Sequence, residues 1–157
     1  MSYAYYSSID AQASAIGSDE SNFPVALTVT DARFGQDGEC VGGHVQNLDA
    51  SCGASGGLSA PADFVVSPNS DGSSEYDFEW VSYTKTTGQI EVWAEVNLSS
   101  SVDTTIYLVY GDENVTTSPE DVAGTWGNGY EVVLHMGEGG GTAYDSSGND
   151  NDFADNA

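Results

Sequence analysis

Apolar and polar residues alternate along several short segments of this chain, and this period constrains the fold more than any other feature. The segments span residues 25–30, 75–80 and 90–96. Side chains of a β-strand point alternately to opposite faces, so each segment predicts a strand with one buried face. Residues 104–110 are apolar on both faces, which is typical of a central strand. The pattern predicts a protein built from β-strands.

Turn signals between these segments favour antiparallel pairing. A short connection containing Gly88 predicts a hairpin between residues 75–83 and 89–97. Residues 64–66 and 3–9 predict two further strands, whereas residues 35–62 show little periodicity and indicate a long loop. Because 39% of residues are hydrophobic, the chain can bury a core and need not be disordered. We therefore expect an all-β fold, an antiparallel β-sandwich of the jelly-roll or immunoglobulin-like class.

The amino-acid composition of the chain changes after residue 112. Residues 113–121 are polar, residues 130–135 predict one more strand, and residues 137–157 are mostly Gly, Asp, Asn and Ser. On that strand His135 is expected to lie at the surface or in local packing. We therefore predict two units: a sandwich over residues 1–112 and a Gly/Asp-rich C-terminal arm over residues 113–157, which docks on the sandwich or on a neighbouring chain.

Charge limits the possible partners of the chain. Arg33 and Lys85 are its two basic residues against 25 carboxylates, a formal net charge of -23. Like charges at this density repel one another unless salt or bound cations screen them, which favours a saline habitat. The alternative is an acidic domain that is merely very soluble. So few cations exclude binding to nucleic acid or to an anionic membrane surface. The chain also shows no signal-peptide pattern and no apolar run that could insert in a membrane, so we expect synthesis as a soluble protein.

Two cysteines, Cys40 and Cys52, bracket a loop that contains glycines and His44. A disulfide between them would suit an oxidising exterior and stabilise the loop by about 2 to 4 kcal/mol. Two alternatives stay open: both residues are buried free thiols, or His44 joins them on a metal. A zinc site normally needs four ligands, so the disulfide is the favoured prediction.

The segment Glu75, Asp77 and Glu79 has the E-x-D-x-E spacing of one class of β-sandwich glycoside hydrolases. Retaining hydrolysis needs two carboxyl groups about 5 to 5.5 Å apart. Alternate residues of a regular strand lie about 6.6 Å apart, so the spacing fits poorly. A solvated strand face is the favoured interpretation, with catalysis as the alternative.

Oxygen-bearing side chains are also crowded in the C-terminal arm. Asp145, Asn149, Asp150 and Asp152 lie within one turn-rich segment, and a smaller acidic group occupies residues 112–114. Calcium prefers such oxygen ligands, although neither segment matches the EF-hand loop. Calcium or another cation is thus the candidate cofactor, and diffuse screening of the acidic surface by cations is the alternative.

Several motifs resemble those of DUF2341, a family of uncharacterised β-sandwich domains found in surface proteins and viral genomes. They are Asn22-Phe23-Pro24-Val25 and residues 62–66, 87–96 and 98–112, so the resemblance covers about residues 3–112. Gly124-Thr125-Trp126 and residues 130–136 and 145–152 are similar to the opening of a LamG, or concanavalin-like, domain. The resemblance implies a sandwich fold and a place among surface proteins, but no agreed activity.

Taken with the charge, these features favour a non-enzymatic structural protein of an extracellular assembly. We expect a virion component, such as a head decoration or tail appendage, of a virus from a saline habitat, located on the virion or on an extracellular surface. Its partners would be other subunits or further copies of itself. The alternative is a carbohydrate-binding or adhesion module in which Trp93, Tyr107 and Trp126 stack on the sugar rings of glycans. A glycoside hydrolase is the third hypothesis.

Overall fold

Two three-stranded antiparallel sheets pack against each other, as the alternating pattern predicts. The structure is a computed structural model that describes residues 3–137 and 141–154. Its strands are β1 (Tyr5–Ala11), β2 (Glu20–Thr30), β3 (Leu48–Cys52), β4 (Leu58–Pro61), β5 (Phe64–Ser67), β6 (Phe78–Thr84), β7 (Gln89–Leu98) and β8 (Thr104–Tyr110). The first sheet has the order β1-β8-β5 and the second β2-β7-β6, while β3 and β4 form a separate hairpin. The prediction of an all-β antiparallel sandwich is confirmed.

The core lies between the two sheets and follows the period of two. On β7 the side chains of Ile90, Val92, Ala94 and Val96 are fully buried, while Trp93 lies on the opposite face. Aromatic rings fill the middle of the core in edge-to-face and tilted contacts, an arrangement that favours ring pairs. These rings belong to Phe34, Phe64, Phe78, Trp80 and Tyr110. Such a core holds the second sheet rigidly and leaves its other face free to carry further structure.

The register of β6 against β7 determines which side chains reach that outer face. Phe78 pairs with Ala94 and Trp80 with Val92, and all four are core residues. The residue between them, Glu79, pairs with Trp93 and so points away from the core. A carboxylate and an indole ring therefore lie side by side on the outer face of the second sheet.

The predicted β6–β7 hairpin is present, and its turn depends on glycine. Gly88 closes the connection with a φ of 66°, in the left-handed region that favours glycine. A Cβ atom at this position would collide with the carbonyl oxygen of Asp31. The hairpin is shorter than predicted, since β6 begins at Phe78 and leaves Glu75 and Asp77 before the strand.

Two other sequence predictions are wrong in detail. Residues 35–62 were expected to form a loop, but they contain the β3–β4 hairpin. Residues 130–135 do not form a regular strand: the described part of the arm makes isolated bridges, Leu134 with Asp145 and Ala143 with Phe153. At Val133 a side-chain hydrogen bond takes the place of regular strand pairing, because the Val133 N–H donates to the side chain of Asp145.

The C-terminal arm covers the second sheet. Its one helical turn, α1 (Val122–Thr125), is capped by Asp121, whose side chain accepts a hydrogen bond from the N–H of Gly124, and contacts β6 and β7. Just before it, the Glu120 carboxylate accepts hydrogen bonds from the backbone N–H groups of Trp80 and Gly53. Residues 138–140 and 155–157 of the predicted arm lie outside the described residues. The described part of the arm is attached directly to the sandwich. Docking on the sandwich was one of the two alternatives, the other being docking on a neighbouring chain.

Candidate functional site

A buried carboxylate connects the second sheet to three separate points of the C-terminal arm. The Glu79 side chain is 0% exposed. Its Oε2 accepts hydrogen bonds from Trp126 Nε1 at 2.6 Å and from His135 Nε2 at 2.9 Å, and its Oε1 accepts one from Ser146 Oγ at 2.7 Å. We call these four residues the Glu79 clasp. A buried charge is costly unless it is hydrogen-bonded, so these three donors offset the cost of burying the Glu79 carboxylate.

Aromatic rings exclude water from one side of the clasp. The Trp126 ring centroid lies 5.3 Å from that of Trp93, 5.4 Å from that of Tyr130 and 5.8 Å from that of His135. Trp126 is 5% exposed as a result. The low local dielectric strengthens each hydrogen bond to Glu79, which makes the clasp a strong attachment.

These contacts separate the three residues proposed for sugar binding. Trp93 and Trp126 do come together, but the Trp126 ring is buried against its aromatic neighbours and offers little face to a ligand. Tyr107 lies on β8 in the other sheet, where its ring packs edge-on against Tyr6 with centroids 5.7 Å apart. The three side chains therefore do not form a common platform.

A second carboxylate lies close to the clasp. Burial is the main cause that raises the pKa of Glu120, the nearby Glu79 raises it further, and the hydrogen bonds from the N–H groups of Trp80 and Gly53 oppose the rise. Both oxygens of Glu120 accept a hydrogen bond from one of these fixed backbone donors. Like Glu79, this carboxylate joins chain segments and has its oxygens already occupied.

A cavity of about 210 Å³ opens beside the clasp, between the β3–β4 hairpin, the β6 edge and the arm. Cys52 and Leu58 line it on one side, and Glu79, His135 and Tyr144 on the other. This volume suits several water molecules or a small ligand rather than an oligosaccharide chain.

The structure corrects the interpretation of the E-x-D-x-E segment. Glu75 and Asp77 are exposed, but Glu79 is buried, so the prediction of a solvated face is wrong for Glu79. Burial and the neighbouring Asp77 raise the pKa of Glu75. Because Glu79 is buried and accepts three hydrogen bonds from the fold, the outer pair of the segment, Glu75 and Glu79, is not jointly accessible to a substrate.

The predicted cation ligands organise the loop of the arm. Asp145 accepts hydrogen bonds from the N–H groups of Val133, Ser147 and Asn151. Burial raises the pKa of Asp145, but these bonds together outweigh it and lower that pKa to about 2. Asp152 in turn accepts from the Asp145 N–H.

Asn149 donates to the Tyr130 carbonyl, and Asp150 is exposed with a φ of 55°. Across residues 3–137 and 141–154, no three His, Cys, Asp or Glu side chains are arranged to hold a metal ion. The calcium prediction therefore gains no support from the geometry.

The predicted disulfide is not formed. Cys40 and Cys52 are both free thiols, but only Cys52 is buried, so the alternative of two buried free thiols is correct in part. Cys40 Sγ lies 3.6 Å from the carbonyl oxygen of Ala32, whereas Cys52 Sγ lies 3.6 Å from that of Asp49 in the hairpin. His44, the other proposed metal ligand, stacks on the Tyr5 ring at 4.0 Å.

The two thiols should differ sharply in reactivity. Cys52 is buried, and this burial, with a smaller contribution from the Glu120 charge, raises its pKa to about 12. Cys40 is partly exposed. Since the thiolate is the reactive form, iodoacetamide at neutral pH should label Cys40 in the folded protein and label Cys52 only after denaturation. Peptide mass spectrometry measures this, and a peptide pair linked through both cysteines would contradict it.

Sequence reasoning missed the clasp as a unit. Its donors lie 47, 56 and 67 residues from Glu79, and no local pattern joins them. One weak signal was present: a Trp side chain carries an N–H that needs an acceptor when it is buried. His135, predicted to be a surface or packing residue, is in fact a partner of the buried carboxylate.

Comparison with protein-family models, with curated proteins and with solved structures finds no match for this chain. The resemblance to DUF2341 and to the opening of a LamG domain thus stays a prediction. None of the helices in the described residues has the length and apolar character needed to cross a membrane.

Proposed function

We propose that this chain is a non-enzymatic structural subunit on the exterior of an assembly, most simply a virus particle from a saline habitat. The observation that carries the proposal is the Glu79 clasp. A wholly buried carboxylate holds an otherwise polar arm on the sandwich, which is the task of a structural element. The chain thereby gains a second layer whose outer side is available to a neighbouring subunit.

The charge distribution supports a saline environment. Arg33 pairs with Asp31 at 2.6 Å and Lys85 with Glu39 at 3.1 Å, so both basic side chains are engaged by carboxylates near them. The sequence has no further Lys or Arg to neutralise the remaining acidic groups. The stability of a protein with such a surface depends on dissolved cations, because about 1 M salt screens the repulsion between carboxylates within about 3 Å.

The hydrogen bonding of two carboxylates favours a structural role over a catalytic one. Glu79, which lines the cavity, and Glu120 both direct their oxygens to donors that belong to the fold. A general acid or base has to reach a substrate proton within hydrogen-bonding distance. Neither carboxylate can do so without leaving its structural partners, which would destabilise the arm.

Quantitative mass spectrometry of purified particles tests the proposal. Particles from the culture that encodes this chain should contain it in a fixed ratio to the main shell protein, and the ratio should survive washing in high salt. A version that lacks residues 137–157 should be incorporated less, while Glu75→Gln, an exposed change in the sandwich, should be incorporated normally. Absence of the full-length chain from washed particles would refute the proposal.

The carbohydrate-binding alternative is weakened by the positions of its three aromatic residues. It still makes a distinct prediction, because a sugar-binding module should retain glycans on an array. A purely structural subunit should give no signal on the same array, with or without calcium.

A further inference from the structure

The outer face of the first sheet carries an aromatic side chain beside a polar turn. Outward residues alternate with core residues along β8, so Tyr107 and Val109 lie on the outer face. Val109 pairs with Val65 of β5, and both are buried. Residues 68–73, which follow β5 and which we call the 68–73 turn, cover them: a Cβ atom at Gly72 would lie 3.4 Å from Val65 Cγ2. Tyr107 lies at the edge of this cover and stays partly exposed.

Hydrogen bonds hold the 68–73 turn in one conformation. Ser67 is 0% exposed, and its Oγ accepts a hydrogen bond from the Asn69 N–H at 2.9 Å. The same hydroxyl donates to a carbonyl oxygen, that of Asn69 or of Ser74. Asp71 Oδ1 accepts a hydrogen bond from the Ser73 N–H at 2.9 Å. Because these bonds are internal to the turn, its polar side chains are presented to a ligand in fixed positions.

A depression of about 300 Å³ lies between the 68–73 turn and Tyr107. This volume is at the lower end of the range for small-molecule sites. The Tyr6 ring restricts the Tyr107 ring, since the two meet at 72° with centroids 5.7 Å apart. Apart from Pro68, the other lining residues carry hydrogen-bonding side chains: Asn69, Ser70, Asp71 and Ser73. The depression therefore combines one aromatic ring with several polar groups.

A neutral sugar has the chemistry that this combination favours. The C–H face of a sugar ring packs on an aromatic ring, and its hydroxyl groups need hydrogen-bond partners at the edge. Asp71 is exposed, and hydrogen bonds from Ser73 lower its pKa, so at neutral pH it is a carboxylate that accepts charge-assisted bonds from hydroxyl groups. An anionic sugar is disfavoured, because its charge would lie beside Asp71 and neither Arg33 nor Lys85 lines the depression.

We propose that the depression beside Tyr107 is a binding site for a neutral sugar, which stacks on the Tyr107 ring and donates hydroxyl hydrogen bonds to Asp71. The site uses only one of the three aromatic residues that sequence analysis grouped, so it needs no common platform with Trp93 and Trp126. The inference goes beyond the proposed function, because it gives the assembly subunit a ligand of its own.

A glycan array tests the site with the full chain in about 1 M KCl, which screens the acidic surface. Neutral oligosaccharides of glucose, galactose or mannose should be retained, whereas uronic-acid and sulfated oligosaccharides should not. Titration with the best-retained neutral oligosaccharide, followed by ¹H–¹⁵N NMR, then gives the dissociation constant. The amides of residues 67–73 should shift, because they lie at the depression.

Substitutions separate the contributions of the ring and the carboxylate. Tyr107→Ala and Asp71→Asn should each raise the dissociation constant about tenfold, because the first removes the stacking ring and the second removes the charged acceptor. Tyr107→Phe keeps the ring and should bind within about threefold of the unsubstituted chain. The matched control is Phe23→Ala, because Phe23 is 45% exposed and lies on β2 in the second sheet. Circular dichroism confirms that the variants are folded, and Asp71→Asn, at an exposed position, decides the test if Tyr107→Ala unfolds.

Any of three results rejects the site. The first is that no neutral oligosaccharide is retained, and the second is a preference for anionic oligosaccharides. The third is binding that a folded Tyr107→Ala or Asp71→Asn variant leaves unchanged, which would place the sugar elsewhere. The proposed function fails separately: a chain that is present on purified particles but retains no sugar rejects only this site, whereas a sugar-binding chain that is absent from particles rejects only the particle role.

Discussion

Replacing Glu79 by Gln should lower the free energy of unfolding by about 3 kcal/mol and release the C-terminal arm. The amide keeps the shape of the side chain but loses the charge. One of its two terminal atoms becomes an NH₂ group that faces Ser146 on one side or Trp126 and His135 on the other. Facing Trp126 and His135, the NH₂ group meets other donors; facing Ser146, it can donate to Oγ only if the hydroxyl rotates and gives up its own acceptor. In either orientation the hydrogen bonds to a charged acceptor are lost. Urea unfolding followed by circular dichroism gives the change in free energy.

Hydrogen exchange locates the same effect within the molecule. In Glu79→Gln, protection should fall most in the described arm, at amides such as those of Val133 and Asn151, while β7 and β8 retain protection until the whole protein unfolds. The matched control is Glu75→Gln, the same change four residues earlier at an exposed side chain. Burial and Asp77 already raise the pKa of Glu75, so removing its charge should leave stability unchanged or slightly increased. Equal effects of the two substitutions would show that the clasp does not hold the arm.

The parts of the fold that sequence analysis predicted correctly are those in which local pattern and tertiary packing agree. On β7, acidic residues and Trp93 alternate with four buried aliphatic residues, so one face had to be the core. β8 was expected to be central because it is apolar on both faces, and it lies between β1 and β5. In both strands the information is contained within about ten consecutive residues.

The candidate site was not predictable in this way, because its environment is created by a distant segment. The pattern correctly placed Glu79 on the face opposite Phe78 and Trp80, and on an uncovered sheet that face would be solvated. Burial of this face depends on Trp126 and residues beyond it, in a segment whose composition suggested no core of its own. The arm acquires its order from the sandwich, by hydrogen bonds to one carboxylate and by packing on Trp93. A segment of polar composition can therefore still dock on the sandwich.

Removing salt should destabilise the folded protein by several kcal/mol between about 1 M and about 0.01 M KCl, a larger effect than that of the Glu79 substitution. Over this range the screening length grows from about 3 Å to about 30 Å, so nearly every pair of carboxylates on the molecule begins to interact. Folding brings these charges close together, whereas the unfolded chain can separate them. Urea is uncharged, so urea unfolding at neutral pH and a series of KCl concentrations measures the dependence directly.

A charge-reduced variant separates general screening from specific ion binding. Asp37→Asn, Glu113→Gln and Asp150→Asn together remove three exposed carboxylates and change the net charge from -23 to -20. Their positions are far apart along the chain, so the slope of stability against the logarithm of salt concentration should become shallower without a change in stability at high salt. If general screening is the cause, calcium should stabilise the protein at lower concentrations than potassium does, and its double charge should account for the whole difference. A stability that stays flat from low to high KCl would contradict the dependence on a saline environment, and saturation at micromolar calcium would show that a specific cation site replaces diffuse screening.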